Sequence, residues 1–274
     1  MNTTKKKKQE ANFTNLPIDI IVEIFNYSDV YQQFVTYSST CNFFRAYYSD
    51  KKLQNELLKK NNLFFPTIKN EELKTKWTST PQRFYSFIFY PMNKTKNLIV
   101  ELKQMLPDYY EVSPGDSVEY LRDLIENFVK CDKPNLENCD LPPEFQLFFT
   151  EIDIFYFGFY IRGYSFRKVP FTYIDDGFPE HYLDFAHIED GEMGYAYDVH
   201  FYLSLQLDSF GKLFTNNCVH FSEIKNVKFH QLLEMIVDEL KKCEKEKTEG
   251  NLADFIDKMD AMNFWCKFLS DNNL

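Results

Sequence analysis

Asn15-Leu16-Pro17-Ile18-Asp19-Ile20-Ile21-Val22-Glu23-Ile24-Phe25-Asn26-Tyr27, followed by Ser39-Thr40-Cys41-Asn42-Phe43-Phe44-Arg45, is the stretch on which the reading of this chain turns. Asn15 suits a helix N-cap, where its side chain accepts from a free N–H of the first turn. Pro17 sits near the helix start, where its missing N–H costs nothing. Leu16, Ile20, Ile24 and Tyr27 recur at helical spacing, and Ile21 and Phe25 do the same. Only Asp19, Glu23 and Asn26 supply a polar strip. A helix of about three turns with so narrow a strip has to be covered on more than one side.

A second helix is expected over 29–38, with Val30, Phe34, Tyr37 and Cys41 as its apolar face, and a third over 42–48. Asp50 can cap a fourth that carries Leu53, Leu57 and Leu58. A unit this small buries too little surface to be stable without disulfides, a metal or a partner. It holds no disulfide or metal spacing, which leaves a partner protein to cover the apolar excess. A generic helical hairpin with a Leu-Pro start is the plainer alternative.

The stretch resembles an F-box. F-box domains begin with Leu-Pro, continue through an Ile-Leu-like pair and reach a Val-Cys-polar-basic-aromatic-Arg run. Leu16-Pro17, Ile24-Phe25, Phe34 and Thr40-Cys41-Asn42-Phe43-Phe44-Arg45 occupy those places. One extra residue is needed between Tyr27 and Phe34 to keep register, and Leu53-Gln54 stands where the family often has Leu-Trp. The resemblance implies binding to a Skp-type adaptor and, through it, to a cullin-based ubiquitin ligase. Carried over residue by residue, the adaptor-binding positions are Leu16, Pro17, Ile20, Ile21, Ile24, Phe25, Phe34 and Phe44.

Composition narrows the rest. The chain has 274 residues, a net charge of −10 and a pI near 5.1. An acidic balance argues against a protein dedicated to nucleic acid, which would show a basic face. The run Lys5 to Lys8 reads as a solvated tail, with a localisation signal or anionic-surface tether as the alternative. No apolar run approaches the roughly 18 residues that span a bilayer. The six cysteines, Cys41, Cys131, Cys139, Cys218, Cys243 and Cys266, form no C-x-x-C pair and read as reduced thiols of the cytosol or nucleus. The 29 Phe and 18 Tyr are read as an A/T-rich coding bias rather than as an aromatic binding surface.

The expected order is a basic disordered tail over 1–12, the three-helix F-box over 13–60 and a connector over 61–97. An α+β domain comes next, over 98–247, and then a C-terminal helix over 251–274. In the connector, Pro66, Pro81 and Pro91 are read as helix interruptions. Short helices are expected over 73–77 and 81–89, and Trp77 and Phe87 are candidates for packing the box onto the α+β domain. A helix is expected over 98–106. Asp116 with Glu119 reads as a capping box that opens another, and a Pro-started helix begins near Leu141-Pro142-Pro143. Strands are expected over 152–164, 166–174, 182–188, 194–207 and 212–221, with Asp175-Asp176-Gly177 and Glu189-Asp190-Gly191 as turns. In 194–207, Tyr195, Tyr197, Val199, Phe201, Leu203, Leu205 and Leu207 alternate onto one face. Asn226 is read as the cap of a long amphipathic helix. Helices, then antiparallel strands, then helices give an α+β class, with one face of a curved antiparallel sheet under helices.

This second domain is weakly similar to the SUKH superfamily. The similarity lies in the helix over 117–128, in Leu141-Pro142 leading to Phe145 and Phe148, and in Glu189-Asp190-Gly191 within a strand-turn-strand. It continues through Tyr197-Asp198 and the helix from Phe229. The segment from Asp153 to Gly158 is not clearly the Gly-rich stretch that SUKH proteins often carry. The similarity implies a protein-binding module without known chemistry.

A catalytic alternative rests on His181, His187, His200, His220 and His230, with Glu180, Glu189, Asp190 and Asp198 near three of them. Their spacing fits no helix-borne metal pair. No nucleophile elbow or phosphate-binding loop is present. The expectation is therefore a non-enzymatic, substrate-recruiting ligase subunit of the cytoplasm or nucleus, without cofactor or metal, nucleic acid or membrane. A non-ligase scaffold and an enzyme remain the alternatives. Tyr195, Tyr197 and Phe201, or Phe264 and Trp265, are the candidate partner-binding residues.

Overall fold

The computed structural model describes residues 27–40, 42–105, 140–151, 154–156, 159–161, 182–188, 199–204, 210–217 and 221–246, together with Pro17, Ile20 and Glu23. The expected helix over 117–128 and the strand over 166–174 lie outside these residues, as does the helix over 251–274. The described part is α+β, a helical layer and an antiparallel sheet.

The helical layer begins with a π-helical segment, Gln32–Tyr37, that runs into α1 (Ser38–Thr40). Ser38, fully buried, donates its hydroxyl to the Phe34 carbonyl at 2.5 Å. Next come α2 (Asn42–Tyr48) and α3 (Lys51–Lys60). Asp50 caps α3 by accepting from the N–H groups of Lys52 and Leu53. At its other end Asn62 takes φ 52°, the left-handed conformation that Asn tolerates better than most residues. The Leu63 N–H then reaches the Leu58 carbonyl (2.8 Å), and the Asn62 N–H reaches that of Lys59 (2.9 Å). Lys96 donates its ammonium to the Asn61 and Asn62 carbonyls, so α3 is satisfied at both ends.

α4 (Glu71–Thr78) is capped by Asn70, and α5 (Pro81–Phe84) by Thr80 with Pro81 in its first turn. A second π-helical segment, Tyr85–Phe89, joins α5 to α6 (Tyr90–Met105) without a break. The expected interruption at Pro91 is corrected here. A proline inside a helix clashes with the carbonyl four residues back, in this case that of Phe87. The widened turn, in which the Tyr90 N–H bonds to the Tyr85 carbonyl, makes room for the ring. α6 therefore starts eight residues earlier than the sequence indicated, and the expected change of unit at 97/98 falls inside it.

α7 (Pro143–Glu151) begins at a proline, as expected. The sheet is a six-stranded meander: β1 (Ile154–Tyr156), β2 (Phe159–Ile161), β3 (Tyr182–Ile188), β4 (Val199–Ser204), β5 (Leu213–Asn217) and β6 (Phe221–Glu223). Each strand pairs antiparallel with the next. Two expected single strands are each a pair of strands: 152–164 contains β1 and β2, and 212–221 contains β5 and the start of β6. Gly211, at φ 76°, turns the chain into β5, where its N–H reaches the Ser204 carbonyl. α8 (Phe229–Glu246) closes the described chain. Asn226 is not its cap. Asn226 takes φ 63° in the preceding turn, and Gln231 accepts from the Lys228 N–H instead.

One buried cluster unites Phe34, Phe44, Tyr48, Leu58, Leu63, Leu73, Trp77, Phe84, Ile88, Phe89 and Met92 with Leu147 of α7. Trp77 stacks obliquely on Phe210 at 5.5 Å, and Lys228 lies over the Phe87 ring at 5.5 Å. Along α7 and α8, Phe145 and Phe148 each meet Phe229 edge-on at 5.0 Å. α6 and α8 run parallel at a constant separation of 140 positions. Tyr90 meets His230, Lys94 pairs with Glu234, and Glu101 pairs with Lys241.

Candidate functional site

Four of the eight expected adaptor-binding residues lie among the described residues: Pro17, Ile20, Phe34 and Phe44. Pro17 is exposed, and its carbonyl accepts from the Ile20 N–H at 3.1 Å. Ile20 is 42% exposed. Phe34 and Phe44, by contrast, are buried. Phe34 lies 4.9 Å from the Tyr48 ring and 5.6 Å from Phe84, and Phe44 lies 6.5 Å from Tyr37. Their rings hold the helical layer together, and as direct partner contacts these two residues are corrected. Leu16, Ile21, Ile24 and Phe25 lie outside the described residues.

The large apolar side chains exposed among the described residues are Ile20 and Tyr27, which share the helical spacing row of the sequence, with Tyr31, Phe43 and, on α6, Tyr90 and Val100. Tyr27 is 87% exposed. Phe43 packs edge-on to buried Phe44 at 5.4 Å, and Tyr31 packs edge-on to Tyr85 at 5.6 Å. Phe43 and Tyr31 thus each stand on a ring that packs into the core. The signal in the sequence was the aromatic pair Phe43-Phe44 and the pair Val30-Tyr31, in which one member faces in and the next faces out. Exposed apolar side chains of this kind suit contact with another protein.

Three tyrosines of this layer, Tyr47, Tyr48 and Tyr85, are raised toward the neutral form. Burial raises the Tyr48 hydroxyl far above its ordinary range. Burial also raises Tyr47, aided by the carboxylates of Glu56 and Asp50. Tyr85 is raised by burial, with Tyr90, Asp29 and Tyr31 adding to it.

On the sheet, Phe201 and Leu203 of β4 and Leu213 of β5 are fully buried. Phe201 is therefore corrected from candidate partner contact to core. Tyr195, Tyr197, Phe264 and Trp265 lie outside the described residues. The β3–β4 register sets His187 opposite His200, while His230 belongs to α8, with its Nδ1 3.7 Å from a Glu144 carboxylate oxygen. Among the described residues no group of three His, Cys, Asp or Glu side chains is placed to hold a metal ion. No helix among them is long and apolar enough to cross a membrane.

Comparison of the chain with protein-family models, curated proteins and solved structures found no match.

Proposed function

We propose that this protein is a recruiting subunit of a Skp/cullin/F-box type ubiquitin ligase. Its N-terminal helices form a three-helix F-box that takes the Skp-type adaptor. Its C-terminal unit, a SUKH-like curved sheet flanked by helices, takes the target protein. In this reading the chain performs no chemistry and works in the cytoplasm or nucleus. The observation that carries the reading is the Leu16-Pro17 to Arg45 pattern, and the exposed set Ile20, Tyr27, Tyr31 and Phe43 beside it supports it. Phe34 and Phe44 then act beneath the contact, by fixing the helices that present it. An interface of this kind would bury on the order of 1,600 Å² in total, with a few large apolar residues dominating its energy.

The test is affinity purification of the full chain beside an Ile24→Asp/Phe25→Asp variant, read by mass spectrometry. Skp-type adaptor and cullin with the parent alone support the ligase reading, since a buried unpaired charge would expel the adaptor. Adaptor without cullin would favour a scaffold acting outside the ligase. Neither with the parent would end the reading.

A further inference from the structure

We propose that His187 and His200 form a binding site for a divalent transition-metal ion of the kind that takes imidazole ligands. The two residues lie directly opposite one another in the β3–β4 ladder, between the pairs Ala186–Phe201 and Ile188–Val199. Directly opposed positions of an antiparallel pair have Cβ atoms about 4.5–5.5 Å apart, close enough for two imidazoles to share one ion. The same row continues to Tyr160 of β2, opposite His187, and to Asn216 of β5, opposite His200.

An unbroken ladder would not pair these residues. Leu183 faces Leu203 and Asp184 faces Tyr202, and counting on from there sets His187 opposite Val199, on the face of buried Phe201 and Leu203. The register instead shifts by one residue between Asp184 and Ala186. Such a shift moves every following position to the other face of its strand. It takes His187 off the face of Phe201 and, in the same step, sets it against His200. Bulges recur beside functional sites, where one extra residue re-aims its neighbour.

The donor type selects the ion. Imidazole suits Zn²⁺, Cu²⁺ and Ni²⁺, whereas Ca²⁺ and Mg²⁺ take oxygen ligands. A pair is fewer protein ligands than catalytic and structural zinc sites use, so the ion keeps water in its remaining positions and exchanges. Bound there, it ties β3 to β4 and stabilises the folded chain according to its occupancy. The site is separate from the proposed adaptor contact and does not depend on it.

The test uses the full, untagged chain and Ni²⁺ held by iminodiacetate, a chelate with room for two imidazoles, titrated by calorimetry at about pH 7.5, where imidazole is mostly neutral. The parent should bind the chelate, and EDTA should reverse the binding. His187→Gln and His200→Gln should each weaken it at least about tenfold, since losing even a hydrogen-bond partner of a metal ligand costs that much. The double variant should lose little more than either single one, because one imidazole without the other is no chelate. His181→Gln/His220→Gln should bind as the parent does. A second reading needs no variant: diethyl pyrocarbonate should modify His187 and His200 in the metal-free parent, and Zn²⁺ should protect the two together, as mapped by mass spectrometry. Four results overturn the proposal: no binding by the parent, parent-like binding by either single variant, equal loss in the control pair, or zinc protection of only one or neither of the two histidines.

Discussion

The side-chain amide of Gln146 pairs with both backbone polar groups of Thr67, accepting from its N–H at 3.0 Å and donating to its carbonyl at 3.0 Å. The same amide donates to the Leu141 carbonyl at 2.8 Å, and Gln146 is fully buried. A few residues away, the buried Asp140 carboxylate accepts from the Lys69 and Asn70 N–H groups, both at 2.8 Å. Two side chains of the C-terminal unit thus hold the backbone of 67–70 as a strand neighbour would. Gln146→Ala should cost about 2–3 kcal/mol through the three lost bonds. Gln146→Glu should cost more, because its carboxylate would face two carbonyl oxygens with no proton to offer. Urea denaturation of the full chain checks both, and equal stability of the Glu variant and the parent would overturn the account.

Lys94–Glu234 and Glu101–Lys241 place opposite polarities on successive rungs between α6 and α8. These pairs are partly exposed, so each should contribute no more than about 0.5 kcal/mol in a double-mutant cycle, less at high salt. Their larger effect is on register. Lys94→Glu/Glu234→Lys should restore what Lys94→Glu loses, whereas Lys94→Glu/Lys241→Glu should not. Thermal melts of these variants decide the matter.

Alkaline pH should destabilise the fold. Hydrogen bonding to Glu234 raises Lys94, and bonding to Glu101 raises Lys241. Burial raises Tyr48, Tyr47 and Tyr85. In every case the folded-state pKa lies above the unfolded one, so the stabilisation is complete below the unfolded values of about 10 and is lost as pH rises through the folded ones. Denaturation midpoints should therefore be level from neutral pH to about 9.5 and fall beyond it. The part of the tyrosinate absorbance that Tyr48→Phe removes should rise in step with unfolding; its rise with the fold intact would contradict the burial of Tyr48.

Phe34→Ala and Ile20→Glu separate support from contact. The first should cost about 3–5 kcal/mol, since it empties a fully buried aromatic site between Tyr48 and Phe84. The second alters an exposed side chain and should leave stability within about 0.5 kcal/mol while weakening adaptor capture. Calorimetry and pull-down on the same preparations check the pair.

Elements set by local signals were legible in the sequence. The range 42–48, the Asp50-capped α3 and the strand 182–188 match their expected positions, because capping residues and apolar periodicity act within a few residues. The division of 152–164 into β1 and β2, and of 212–221 into β5 and β6, was missed because strand-like residues continue through both ranges. Asn226 was misread because Asn serves caps and left-handed turns alike. The clamps of Asp140 and Gln146 reach across 70 to 79 positions, beyond any local pattern. For the candidate site, the presence of Phe34, Phe44 and Phe201 was legible but their burial was not, since an aromatic ring packs as readily inward as outward.

The π-helical segment ahead of Pro91 also fixes a phase. Each helical residue turns the axis by about 100°, so one extra residue in a turn swings the rest of the helix through roughly a right angle. Before the segment, Phe84 points at Phe34; after it, Tyr90, Lys94 and Glu101 point at α8. A single rod thereby addresses two different neighbours, and its two halves are clocked independently. Deleting one residue from 85–89 would leave the rod helical yet turn one half away from its partner. Proline and widened turn therefore work as one structural unit that sets the aim of both halves of the helix.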